Sequence, residues 1–330
     1  MRILITGVAG MIGSHLLDLL LKDPNNLIYG VDNLKVGKID NISNYLGNKN
    51  FIYNTFDVTN IYNFIDLYNK LDVIIHLAAE KKGNELMPSF NTLIVNTKGT
   101  ENMLELAKQN RCKFIFASTS DVYGLSEKLP FNEDDNIVLG PSLIKRWSYA
   151  VSKLYCEQLS FAYYKDFNVP IVILRYFGGF SEKASFTWSC GHIPLFIDSV
   201  INDTEVNVHG DGKQTRSMCY IKDIVDGTAS AIKSEKAIGE IINVGSDEEI
   251  SVIDSVYIIR DVFYELTGIK REVKIKHIPM HEIFGQYKDI LRRRPDLNKA
   301  KKLLSYTPQY TFKEGVRITM LERLSHKGSI

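Results

Sequence analysis

The chain holds little cysteine and spaces it poorly for any framework: four residues in 330, Cys112, Cys156, Cys190 and Cys219, with no C-x-x-C pair. That argues against a disulfide scaffold or a zinc ribbon and fits a reducing compartment, so a cytoplasmic location is expected. An excess of one charge sign is missing too. Forty Lys and Arg stand against 39 Asp and Glu, a net charge of +1, so no sequence-wide field gathers nucleic acid or an anionic membrane, and neither is expected as a partner. No apolar run approaches the roughly 20 residues that span a bilayer. The first 22 residues superficially resemble an export signal, but Gly7, Gly10 and Gly13 interrupt the apolar stretch and Ser14, His15 and Asp18 close it. There is no low-complexity linker or internal repeat. His277 and His281 have helical ligand spacing, yet Pro279 breaks the helix between them and no third ligand is near in sequence, so no metal is expected.

What is present is an ordinary globular composition, 45% hydrophobic and 24% charged, long enough at about 150 residues per domain for two domains or one large unit with a lobe. Strand-sized apolar runs recur at 3–6, 27–31, 51–56, 73–77, 114–117 and 169–174. Helical periodicity at 12–21, 93–107 and 149–164 alternates with them as βαβ units require. The runs are almost continuously apolar, as in a parallel sheet covered on both faces. The expected fold is α/β, a doubly wound parallel sheet with a smaller C-terminal lobe. Residues 1–175 would form a dinucleotide-binding domain to which 217–246 return, and 176–330 would form mainly the lobe. Helices near 194–201 and 221–232, a turn at Gly210-Asp211-Gly212 and a strand at 240–244 mark this second part.

Gly7, Gly10 and Gly13 lie between the first strand and the first helix as G-x-x-G-x-x-G. Such glycines allow a tight turn, close approach of a pyrophosphate and packing of helix on strand. Asp32 ends the second strand, where a carboxylate can accept both ribose hydroxyls and repels a 2′-phosphate, so NAD is expected over NADP. Asp57-Val58 after the third strand is placed either to meet the adenine or to cap a helix. Tyr149 and Lys153 stand four apart on one helix face. There a neighbouring ammonium and the positive nicotinamide would lower the phenol toward neutrality and make it a base for a hydroxyl proton.

These motifs, with His76-Leu77-Ala78-Ala79, Asn96–Thr100, Ser118–Gly124, Arg175-Tyr176-Phe177, Gly210–Arg216, Tyr220–Asp223, Asn243-Val244-Gly245 and Arg294-Pro295-Asp296, resemble the extended short-chain dehydrogenases/reductases of the nucleotide-sugar epimerase/dehydratase type over nearly the whole chain. The resemblance implies a tightly held, recycled NAD. Its binding residues would be Gly7, Gly10, Met11, Ile12, Gly13, Asp32, Asn33, Asp57, Val58, Leu77, Ala78, Ala79, Asn96, Ser118, Tyr149, Lys153 and Tyr176. It also implies a nucleoside diphosphate sugar in the lobe, with Arg216 and one of Arg292, Arg293 and Arg294, here Arg293, on the diphosphate, and Lys81 and Gly178 lining the substrate. Gly178-Gly179 stands where the family usually has Asn, Glu80-Lys81-Lys82 departs from the usual sugar-binding loop, and the loop 181–192 carries Trp188, Cys190 and His192.

Reactions in this family divide after the fifth strand, here at Thr119-Ser120-Asp121. Thr119 resembles the residue that bonds the sugar O4 beside Tyr149, and Asp121 resembles, one methylene shorter, the carboxylate with which dehydratases remove the C5 proton. The expected function is therefore a nucleotide-sugar 4,6-dehydratase with Thr119, Ser120, Asp121, Tyr149 and Lys153 as its catalytic residues. A 4-epimerase or UDP-glucuronate decarboxylase of the same family is the alternative, and a non-catalytic NAD-binding relative a further one. Asp121 could instead cap the following turn. Apolar positions on helices 93–107 and 149–164, together with family analogy, suggest a homodimer.

Overall fold

Runs of β-branched and aromatic side chains make seven strands, and all seven pair in parallel. They are β1 (Arg2–Thr6), β2 (Leu27–Asp32), β3 (Phe51–Thr55), β4 (Val73–His76), β5 (Lys113–Thr119), β6 (Ile171–Tyr176) and β11 (Glu240–Val244), in the order β11-β6-β5-β4-β1-β2-β3. The computed structural model describes residues 1–60, 62, 64, 68–81, 89–185, 190–284 and 290–326. Lys82 and Trp188, singled out above, lie outside the described residues.

Alternate strand residues feed two cores. Ile3, Ile5, Ile115, Val172 and Leu174 face one side, where α1 (Met11–Leu20) and α5 (Ile221–Lys233) pack. Leu4, Phe114, Phe116, Ile171 and Ile173 face the other, under α2 (Phe90–Asn110) and α3 (Arg146–Phe167). Both helices start about a turn before their apolar periodicity does. Ser89 caps α2 through its hydroxyl.

The first core runs on without interruption into the C-terminal part. There α4 (Ile193–Asn202), α6 (Val252–Thr267) and α9 (Phe312–His326) contribute Phe196, Ile259 and Val316. β8 (Val206–His209) pairs in parallel with β13 (Ile275–Ile278), so His277 is a strand residue. Two short ladders join this part to the sheet's carboxyl ends. β7 (Gly179–Phe180) pairs with β10 (Cys219–Tyr220), and β9 (Thr215–Ser217) with β12 (Glu249–Ser251).

The chain runs outward from β1 through β2 to β3, then resumes at β4 on the other side of β1. The strand order reverses there, and the crevice outside the carboxyl ends of β1 and β4 is where open α/β sheets bind ligands. Cys112, Cys156 and Cys219 are buried and all four thiols are free. Among the described residues no helix is long and apolar enough to cross a membrane.

Candidate active site at the carboxyl ends of the strands

The glycine loop is built for close approach. Gly7 has φ +73°, and a Cβ on it would stand 2.8 Å from the backbone nitrogen of Ala78; the loop is thus pressed against the Leu77-Ala78 end of β4. A Cβ on Gly13 would meet the Gly7 carbonyl and lie 2.7 Å from Val8 Cα. Gly13 is the residue that lets α1 begin directly under the loop. Asp32 clamps this loop from β2: Oδ2 accepts from Ala9 N at 3.0 Å and Oδ1 from Leu34 N at 2.8 Å. Burial pushes its pKa up against those two donors. Asp57 caps the turn that follows it and also ties down the loop after β2. Oδ1 accepts from the backbone N–H and hydroxyl of Thr59, while Oδ2 accepts from Asn33 Nδ2 at 3.0 Å and pairs with Lys35 at 3.4 Å. Burial opposes these donors but they win, bringing it down to about 2. Val58 is buried beneath, against Gly99 of α2.

Three residues expected to face a cofactor spend their side chains on protein. Asn96 Nδ2 donates to Ser152 Oγ at 2.9 Å and to Glu80 O at 3.2 Å, and its Oδ1 accepts from Glu80 N at 2.8 Å. It pins the turn carrying Lys81 to α3. Ser118 Oγ donates to Glu157 at 2.5 Å, and the Tyr176 hydroxyl bonds Thr228 Oγ1 at 2.8 Å. What these three offer a ligand is backbone or ring.

β5 ends at Thr119, and one helical turn, Ser120–Tyr123, follows it. The Thr119 hydroxyl accepts from Asp121 N at 3.2 Å and so holds that turn. Asp121, only 2% exposed, collects three cations: Lys81 Nζ lies 2.9 Å from Oδ2, and Arg146 Nη2 and Arg293 Nη1 lie 2.8 and 2.7 Å from Oδ1. Burial alone would raise this carboxyl. Arg146, Lys81 and Arg293 together hold it well below the usual carboxylate range. Arg293 Nη1 also reaches Ser120 Oγ at 3.2 Å, while its buried Nε and Nη2 find no protein acceptor. Among the described residues, two buried donors of Arg293 thus remain to be satisfied beside the ion-paired Asp121.

Tyr149 and Lys153 sit on α3 with this cluster on their flank. Lys81 Nζ lies 4.9 Å from the Tyr149 ring centroid and Lys153 Nζ lies 5.9 Å from it. Lys153 donates to Ala117 O at 2.7 Å, and burial brings it down to about 8. The expected lowering of the phenol counts on the nicotinamide's charge as well as on Lys153, and the protein's own groups act the other way. Burial raises the Tyr149 pKa, and the negative charge of Asp121 adds to the rise. The phenol is a resting acid here, and the positive charge that would ionise it must come with the ligands.

Of the arginine run, the structure sends Arg292 to Glu249 at 2.7 Å and Arg293 to Asp121. Arg216 on β9 donates to the carbonyls of Thr215 and Ile290. Gly178, at φ +39°, sits under Ser217 O, where a Cβ would lie 2.6 Å away; the close approach of two chains, rather than the lost side chain, accounts for glycine there. The sequence reading missed Arg146, although it stands three residues before Tyr149 and hence on the same helix face. It also missed Glu157, which holds Arg175 through Nε at 3.0 Å and Nη2 at 2.7 Å.

Comparison with known proteins agrees with this geometry. A family model described as GDP-mannose 4,6 dehydratase matches residues 4–319. The chain belongs to the extended short-chain dehydrogenases/reductases that act on nucleotide sugars. Within that family it is 36% identical over 321 residues, 97% of this chain and 96% of the relative, to a UDP-N-acetyl-alpha-D-glucosaminuronate decarboxylase of Bacillus cytotoxicus. It is 33% identical to UDP-glucuronic acid decarboxylase 1 of Danio rerio, covering 97% of this chain and 72% of that one. The UDP-glucuronic acid 4-epimerase of Bacillus cereus, solved with UDP-glucuronic acid and NAD, superposes with a TM-score of 0.85 at 29% identity, over 98% of this chain and 100% of that one.

Proposed function

We propose that the protein is an NAD-dependent enzyme that oxidises C4 of a nucleoside diphosphate sugar bearing a carboxylate at C6, and that it decarboxylates this sugar. The observation that carries the proposal is the meeting of Lys81, Arg146 and Arg293 at Asp121, where the buried Nε and Nη2 of Arg293 have no acceptor among the described residues. A carboxylate on the sugar would accept from those donors as a charged, two-oxygen partner, which a hydroxymethyl group would not. Relatives named for uronate substrates support the same reading.

The residues fit NAD. Gly7 and Gly13 leave no room for a Cβ, and α1 presents its N-terminus behind the loop they form. Asp32 and Asn33 would meet the adenosine, and Tyr149 and Lys153 the nicotinamide ribose. When bound, NAD supplies a hydride acceptor at C4 and a positive charge beside Tyr149.

The chain's own groups do the rest. Tyr149 takes the C4 hydroxyl proton onto its phenol oxygen, and Lys153 supports the phenolate from below. A ketone at C4 makes the sugar a β-keto acid. The C5–C6 bond then breaks, carbon dioxide leaves, and the electron pair moves onto O4, where the Thr119 hydroxyl and the protonated Tyr149 can donate. Arg146, Lys81 and Arg293 hold the carboxylate until it leaves; C5 takes up a proton in its place, and Tyr149 gives its proton back to O4 as C4 takes back the hydride. Asp121 keeps the three cations together.

The 4,6-dehydratase reading assigns Asp121 the C5 proton, and its placement next to Thr119 suits that task. Three ion pairs must loosen before it can accept a proton, and this places dehydration second. Incubation with UDP-, GDP- and dTDP-hexoses and their uronates, followed by product mass, tests the proposal. Turnover of uronates with loss of the mass of carbon dioxide is expected; loss of the mass of water from a neutral hexose would support dehydration.

A further inference from the structure

Asn243 on β11 is fully buried, lies outside the crevice and yet makes polar contacts to both segments that carry the cation cluster. Its Oδ1 accepts from the Tyr123 hydroxyl at 2.7 Å, and Tyr123 closes the turn that begins at Ser120 and contains Asp121. Its Nδ2 donates to Phe131 O at 2.9 Å and to Asp296 O at 3.3 Å. Phe131 is itself laced to the arginine run: its N–H donates to Arg294 O at 2.8 Å, and Asp296 N donates back to Phe131 O at 2.8 Å. The Asn243 backbone N–H donates to Glu133 Oε1 at 2.8 Å, which fixes the loop between these points. The Tyr123 and Phe131 rings stack at 4.7 Å, which joins two of the amide's partners to each other.

We propose that Asn243 is a positioning residue that sets the distance between Asp121 and Arg293 by tying their two backbone segments to one buried side chain. An amide suits the place because it supplies one acceptor and two donors in a rigid plane, and here all three are used. An aspartate would turn an acceptor toward two carbonyls, and a leucine would leave Tyr123, Phe131 and Asp296 without their partner. The inference presupposes only the Asp121–Arg293 contact, and its test needs no substrate, so it can fail while the proposed reaction stands, and the reverse.

The test is a carbon-13 titration of the Asp121 carboxyl in aspartate-labelled full-length protein, its signal assigned by its loss in Asp121→Asn. Arg293→Ala should raise the midpoint by roughly one pH unit, the usual effect of removing one close cation. Asn243→Ala should raise it in the same direction, and the double variant should go no further than Arg293→Ala alone. Tyr123→Phe, which deletes only the hydroxyl bonded to Oδ1, should move it less but with the same sign, and it decides the matter if Asn243→Ala does not fold. A midpoint unchanged in whichever of these variants folds, or a double variant that adds the two displacements, would overturn the proposal. A merely structural asparagine would lower the melting temperature and leave Asp121 titrating as before.

Discussion

Tyr149 is the residue on which the chemistry turns, and its surroundings pull both ways. Burial and Asp121 oppose its ionisation, while Lys81 and Lys153 lie over its ring. Tyr149→Phe keeps the ring and should leave NAD binding intact while slowing turnover by roughly 10²–10⁴-fold, measured by NADH absorbance in single turnover and by steady-state rate. Lys153 makes a pH prediction. Its folded value near 8 lies below the ordinary 10.5, so it carries charge below about 8 and loses it above. kcat/KM should fall above about pH 8, and in Lys153→Arg, charged throughout, that limb should vanish even though activity is lower; a limb that stays would assign it to another group. Asp121 has the opposite sign. Its folded pKa is depressed from 3.8, so its ion pairs stabilise the native state above about pH 4, and that stability is lost as pH falls through the folded value. The gap in melting temperature between wild type and Asp121→Asn should therefore be constant near neutrality and close on acidification. A gap indifferent to pH would mean that the carboxylate's charge contributes nothing.

At the scale of elements, the site is a meeting of strand ends with the first turns of helices, and each joint is testable. Gly13→Ala puts a methyl into the Gly7 carbonyl, so it should abolish NAD binding or folding, whereas Gly47→Ala, where a Cβ meets nothing within 4 Å, should cost much less despite its φ of +87°. The buried pair of Glu157 on α3 and Arg175 on β6 has side chains only 2% and 3% exposed. Glu157→Gln leaves an uncompensated guanidinium and should cost roughly 3–5 kcal/mol in denaturant unfolding. The strands and α1 were legible in the sequence because apolar runs and glycine spacing are local signals. Arg146 was not, since a polar residue in the first turn of a helix looks like any solvated arginine until Asp121 arrives from β5. Asn243 was visible only as part of a motif, because the partners behind its proposed role, at 123–133 and 294–296, lie far from it in the chain. The spacing of Tyr149 and Lys153 could not show the burial of the phenol or the carboxylate on its other flank, both of which raise its pKa before any cofactor charge is counted.

For the whole molecule, the helical layer of α2 and α3 leaves Phe90 73%, Ile94 41%, Val151 44% and Tyr155 53% exposed. Phe90 and Ile94 share a face of α2, as do Val151 and Tyr155 on α3, since each pair is four apart. We propose that a second copy covers this layer. Light scattering should give the mass of a dimer, and Tyr155→Glu with Ile94→Glu should give a monomer; a wild-type monomer at micromolar concentration would contradict it. The same layer carries Tyr149 and Lys153 at one end, so packing there would stiffen the helix that holds them. The central claim is the acidic sugar, and the most direct measurement uses UDP-glucuronate or UDP-N-acetylglucosaminuronate labelled with carbon-13 at C6. With NAD present, the account predicts release of labelled carbon dioxide and a product lighter by that mass. Label retained in the sugar nucleotide, with a neutral hexose turned over in its place, would contradict it.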